Sequence, residues 1–191
     1  MKRIEKDLSL KDGKTTASLD IYDDDDKTEL LELYRSWKNA SELSLKLGGR
    51  KINLPEALSE GAFCHFKKVG RLISCTGNVN RSFDCVDYND KEDGYNMRIQ
   101  VKASGVENDL TSFGPSSKWD KIYFCDFSRL DGTFDVYLIP NELIYNYEVN
   151  SKQTMQDQQR QGKRPRMSLK SLIKDNNISR LDKFNFEVDK K

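Results

Sequence analysis

The chain has 191 residues, 36% hydrophobic and 33% charged, a polar composition still long enough to bury the core of one domain. A formal net charge of +1 gives no argument for a polyanionic partner, and the single histidine, His65, argues against a zinc centre or any scheme needing two imidazoles. No apolar run approaches the roughly 18 residues of a membrane span and no signal peptide is visible, so a cytoplasmic protein is expected.

Residues 1–26 carry two alternating runs, Ile4, Leu8, Leu10 and then Ala17, Leu19, Ile21, with Asp12 and Gly13 between them. That is the pattern of a peripheral β-hairpin. Asp23, Asp24, Asp25 and Asp26 follow, and acids before a helix suit the positive end of its dipole. From Thr28, Leu30, Leu33, Tyr34, Trp37, Ala40, Leu43 and Leu47 recur at helical spacing until Gly48 and Gly49. A second helix is expected from Pro55, with Asn53 as candidate cap, to about Lys68. Its Glu56 and Glu60 are four apart and share a face. Gly61 weakens that helix, which points to a close approach there.

A strand at residues 72–74 and a loop at 76–80 lead to two short runs joined by the turn-forming residues 89–94. The first holds Asp84 and Asp87. The second alternates, with Met97, Ile99 and Val101 pointing one way and Arg98, Gln100 and Lys102 the other. Gln100 and Lys102 therefore lie side by side on one strand face, where Asp84 can meet them. Asp87 falls on the opposite face of a regular strand. An acid, an amide oxygen and an amine at one point suit a divalent metal with an activated water; the Val101 carbonyl is a further oxygen ligand.

Residues 104–117 look like a loop, with Gly114, Pro115 and several hydroxyls, suited to phosphate contacts. Residues 121–127 form a nearly continuous apolar run, as in a central strand. After a turn at Asp131 and Gly132, a strand at 134–139 meets Pro140, which opens a short helix or turn at 141–145. Residues 151–166 are rich in Gln, Lys and Arg without periodicity, and are expected to be solvated or ordered only on binding. Ser168 can cap a last helix over 169–174, and Leu181, Phe184, Phe186 and Val188 alternate as a closing edge strand. From residue 151 on, eleven bases face five acids, a polarity that permits a field attracting polyanions; a solvated basic tail accounts for it equally. Cys64, Cys75, Cys85 and Cys125 lack CxxC spacing and sit in apolar runs, so buried thiols in a reducing compartment are expected. The outline is an α/β or α+β domain spanning residues 1–191: hairpin and helix to residue 50, a core over 52–145, and a basic segment over 151–191.

Phosphodiester cleavage needs a cation held by one or two carboxylates and an amine that orients water or neutralises the pentavalent phosphate. The Ser82, Phe83, Asp84 run and the run Ile99, Gln100, Val101, Lys102, Ala103, Ser104 resemble the two half-motifs of the PD-(D/E)xK nuclease superfamily, and within it the small type II restriction endonucleases. Glu60 on the preceding helix, the strands and Pro140 after the motif, and the basic stretch from Gly162 to Leu169 follow in matching order; the resemblance covers roughly residues 52–175. It departs at Gln100, where the family usually has Asp or Glu. A neutral ligand leaves room for another acid, and Glu60 is favoured over Asp87.

The resemblance implies a restriction-endonuclease-like core, a central mixed sheet flanked by helices. It implies a Mg2+-dependent, site-specific double-strand DNA endonuclease with Asp84, Gln100, Lys102 and Glu60 as catalytic residues. Asp84, Gln100, Val101 and Glu60 would hold the metal. DNA contacts would come from Ser104, Lys118, Gln156, Arg160, Lys163, Arg164 and Arg166. A palindromic site calls for a homodimer, and host DNA for a protecting methyltransferase in the same system. A structure-specific repair or mobile-element nuclease, or a DNA-binding protein with a decayed site, are the alternatives.

Overall fold

The computed structural model describes residues 1–107 and 109–187. The hairpin forms as expected: β1 (Lys2–Leu10) and β2 (Gly13–Ile21) pair antiparallel from Lys2 opposite Ile21 to Leu10 opposite Gly13. Two helices follow, α1 (Lys27–Lys46) and α2 (Glu56–Lys67). Leu30, Tyr34 and Trp37 are the buried apolar residues of α1, on the face its spacing marks out. Pro55, in extended conformation, stands at the N-cap of α2 and no side chain caps that end, so Asn53 does not take the role its position suggested. The Pro55 carbonyl instead accepts from the Leu58 and Ser59 amides, each at 3.0 Å. Gly61 is where α2 comes closest to its neighbours: a Cβ there would lie 3.0 Å from the Tyr22 ring and 3.1 Å from Leu30.

The chain continues through β3 (Gly70–Cys75), β4 (Cys85–Val86), β5 (Arg98–Ser104), β6 (Thr111–Ser112), β7 (Lys121–Asp126) and β8 (Thr133–Ile139). Then come α3 (Asn141–Tyr145), β9 (Glu148–Asn150), β10 (Gln153–Thr154), α4 (Met155–Arg160), β11 (Arg166–Met167), α5 (Leu169–Asp175) and β12 (Asp182–Asn185). Eight strands form one mixed sheet in the order β1-β2-β3-β4-β5-β7-β8-β12. Its one parallel pair, β5 with β7, is bridged by the long excursion that contains β6; its other pairs are antiparallel. β12 closes one edge as the alternation predicts, while Val188, Asp189, Lys190 and Lys191 lie outside the described residues. β7 is an inner strand, consistent with its apolar run.

The sheet is covered on both faces. Ile99, Val101, Tyr123 and Cys125 face a cluster with Leu30, Trp37, Leu58 and Phe63 from α1 and α2. Ile122, Phe124 and Ile139 face a second cluster with Ile144, Met155, Leu169 and Leu172 from α3, α4 and α5. Burying each such side chain contributes about 1.5–3 kcal/mol. All four cysteines are buried free thiols, as expected. Among the described residues no helix is long and apolar enough to cross a membrane.

Residues 151–166 are built differently from the sequence expectation of a solvated segment. Thr154 and Asp157 form a reciprocal capping box at the start of α4, Met155 is fully buried, and β11 pairs with β6. Two satisfied amides and one buried apolar anchor order a stretch whose composition is otherwise that of a solvated tail.

Candidate active site

β4 pairs with β5 over only two residues, and the residue before it is Asp84. The Asp84 amide still donates to the Ile99 carbonyl at 3.0 Å. The next outward-facing amide on β5, that of Val101, finds no carbonyl and donates to Asp84 Oδ2 at 2.8 Å. A carboxylate thus takes the place of the strand that has ended. The N–H and C=O of one strand residue point the same way, so the Val101 carbonyl faces the same gap. The Gln100 amide nitrogen donates to the same Asp84 oxygen. From the other side, the Leu72 amide holds the Asp84 carbonyl at 2.9 Å. Burial raises the Asp84 carboxyl above its ordinary pKa, while the Lys102 charge and the Val101 amide pull it down.

The parallel register places Gln100 beside Ile122 and Lys102 beside Phe124, so both share one sheet face, as the alternation predicts. That face is not a solvated one. Gln100 is 3% exposed, and the Lys102 ammonium lies 5.6 Å from the centre of the buried Phe113 ring. Lys102 makes no ion pair among the described residues, although its charge is felt at Asp84.

Glu60 reaches the cluster from α2. Its Oε2 accepts from Arg71 Nε at 2.7 Å, and Glu56 Oε1 accepts from Arg71 Nη2 at 2.7 Å. Burial, and then the charge of Asp84, push the Glu60 carboxyl up to about 7 in spite of that ion pair. Arg71 lies on β3 opposite Cys85, the residue after Asp84. Sequence reasoning passed over it, since a base on β3 that reaches two acids on α2 makes a tertiary contact that no local spacing marks. Asp87 stays out of the cluster, accepting from the Asp90 amide at 3.1 Å inside the turn.

Of the proposed DNA-contacting residues, Lys118, Arg160, Lys163, Arg164 and Arg166 are exposed and Gln156 is half-buried. Ser104 is not at the surface: it is 2% exposed and its hydroxyl is engaged with the backbone of Val106 on both sides, at 2.9 and 3.1 Å. The basic segment is tied to the site through the loop before β7. Gln159 donates to the Gly114 carbonyl at 2.8 Å, and the Phe113 amide to the Pro165 carbonyl at 3.0 Å. The Ser116 carbonyl accepts from Asn80 at 3.0 Å and from Ser82 at 3.2 Å, two residues before Asp84. Arg166 and Asp84 thus belong to one run of connected loops.

Among the described residues no three His, Cys, Asp or Glu side chains converge to hold a metal by themselves. The groups around Asp84, its own carboxylate, the Gln100 amide and the Val101 backbone, with Glu60 on the neighbouring helix, are of the kinds a hard cation takes. Two carboxyls brought together in a buried place, one of them raised to about 7 partly by the other's charge, are a donor set that a divalent cation relieves.

A pH dependence follows. The folded protein binds the Glu60 proton more tightly than the unfolded chain, whose carboxyl titrates near 4.5, so the contribution of Glu60 to stability is fully present below that value and is lost as pH rises to about 7. In chelator, Glu60→Gln should therefore gain stability relative to wild type between pH 5 and pH 8, by about 1–3 kcal/mol. Denaturant melts at the two pH values measure it; an equal difference at both would show that Glu60 does not titrate in this range.

An acid beside a strand that carries a lysine, on a mixed sheet, resembles the restriction-type nucleases, with the Gln100 amide where they usually have a second acid. Comparison with known proteins narrows this class: the chain belongs to the Bsp6I restriction endonuclease family, whose match spans residues 22–176. It is 31% identical over 166 residues to the type II restriction enzyme Bsp6I of Bacillus sp. (strain RFL6), covering 85% of this chain and 89% of that enzyme. No solved structure gives a significant match. The family match contains Glu60, Asp84, Gln100, Lys102 and the basic segment as far as residue 176, and leaves out both strands of the N-terminal hairpin.

Proposed function

We propose that this protein is a Mg2+-dependent, site-specific double-strand DNA endonuclease. It would work as a homodimer in the bacterial cytoplasm, beside a methyltransferase that protects host DNA. The observation that carries the reading is the Asp84 carboxylate standing where β4 ends, bonded by Val101 and Gln100 and within the field of Lys102. Family membership supports it. The chain acts in this reading as one nuclease unit, with its core over 52–145 and its DNA contacts concentrated beyond 151.

Asp84, the Gln100 amide oxygen, the Val101 carbonyl and Glu60 would hold the cation. When bound it polarises the phosphoryl group and lowers the pKa of a water. Gln100 serves by turning its amide, since the group that donates to Asp84 through nitrogen can present oxygen instead. Asp84 accepts at one oxygen in the resting state, which leaves the other for the cation. Lys102 places its ammonium over Phe113, where it donates to a non-bridging phosphate oxygen as negative charge builds, or aligns the attacking water. The exposed Lys118, Arg160, Lys163, Arg164 and Arg166 neutralise phosphates, and Arg and Gln side chains of the same segment read base edges. Each subunit cuts one strand, so a palindromic site needs two.

Incubation of the purified protein with unmethylated plasmid DNA and Mg2+, followed by sequencing of the ends, tests the reading. Discrete fragments sharing one short symmetric sequence are expected. Random degradation, or cleavage confined to branched DNA, would reject it.

A further inference from the structure

Two acids of α2, Glu56 and Glu60, share one cation, and Asp84 lies within its field and that of Lys102. Arg71 bonds Glu60 through Nε and Glu56 through Nη2, each at 2.7 Å, and its charge is also felt at Asp84. The side chain is 18% exposed and that of Glu60 13%, so this contact is shielded from solvent and from salt. Its base is fixed, because β3 pairs Arg71 with Cys85 and the next amide, Leu72, holds the Asp84 carbonyl. A guanidinium stays protonated throughout the working pH range and takes carboxylates in a fixed fork.

A divalent cation that draws on Glu60 and Asp84 must therefore enter next to a resident positive charge and share Glu60 with it. We propose that Arg71 is the internal counter-ion of the site: it holds Glu60 in the metal-free protein and sets the affinity for divalent cations low. This inference rests on the reading of Asp84 and Glu60 as cation ligands. Arg71 is a positioning residue here, acting through Glu60.

The test is a Mn2+ titration of the protein by calorimetry, without DNA. Arg71→Gln should bind Mn2+ about tenfold more tightly than wild type, because one nearby positive charge is gone. Arg71→Lys, which keeps the charge, should stay close to wild type. Adding Glu60→Gln to Arg71→Gln should cancel the gain, an outcome that a purely structural role of Arg71 does not produce. Equal or weaker binding by Arg71→Gln overturns the proposal. Wild-type Mn2+ binding that Asp84→Asn leaves unchanged overturns the cation-site reading itself. Should Arg71→Gln fail to fold, the wild-type protein answers instead. Its Arg71 Nε–H resonance, assigned by its absence in Arg71→Lys, should shift on titration with Mg2+, and a resonance unmoved at saturating Mg2+ refutes the counter-ion role.

Discussion

Lys102→Ala is expected to lower DNA cleavage by about 10³-fold while DNA binding stays close to wild type. The side chain emerges from β5 two residues after Gln100 and on the same face. It makes no ion pair among the described residues, so its removal orphans no acid; what it loses is a contact with the Phe113 ring at 5.6 Å. The fold should therefore survive. The exposed cations at 118, 160, 163, 164 and 166 are untouched, and they carry the attraction for phosphates in the proposed reading. Single-turnover cleavage beside a mobility-shift assay separates the two effects. Arginine is not expected to rescue the loss, because a guanidinium neither fits the ammonium's place nor gives up a proton. Cleavage at the wild-type rate by Lys102→Ala would eliminate the mechanism.

Asp84→Asn is the second large effect. Cleavage should fall by about 10³-fold or more at every Mg2+ concentration, since the carboxylate bonded to Val101 and Gln100 is gone. Stability should move the other way. Burial raises the Asp84 carboxyl, so its charge is carried at a cost above that pKa, and an asparagine oxygen can still accept from the Val101 amide. Melting curves at pH 8 should show the variant at least as stable as wild type in chelator. A variant that cuts normally removes Asp84 from the cation site.

The sequence made some of this architecture legible and hid the rest for identifiable reasons. Period-2 alternation placed Gln100 with Lys102 and Ile99 with Val101, and the structure keeps both pairs, because an inner strand between two apolar layers has one register that buries both sets. Helical spacing marked α1 and α2 to within a residue or two. Pro140 marked the opening of α3, where it stands at the N-cap. The Arg71 link between Glu56 and Glu60 could not be read that way, since it joins β3 to α2 across a tertiary contact that no local pattern encodes. Ser104 seemed a phosphate contact from its place after the motif, but β5 runs on to include it and Val106 folds back onto its hydroxyl. In residues 151–166 the signal was present and outweighed: Thr154 and Asp157 stand three apart, the capping-box spacing, within a run of glutamines and bases.

The shortness of β4 has a mechanical side. Two residues of strand are all that join the β1-β2-β3 leaf to the β5-β7-β8-β12 leaf through the sheet. One end of this seam is riveted: Asn96 exchanges hydrogen bonds with Ser9, and the Arg98 guanidinium bridges Asp12 and Asp120. The other end is Asp84. That end is tied by a side chain and loops instead of a strand ladder: Val101 and Gln100 hold the Asp84 carboxylate, and the Ser116 carbonyl accepts from Asn80 and Ser82. Arg71 stands on one leaf and Lys102 on the other, so the acid that joins the two leaves is also the one on which both charges act.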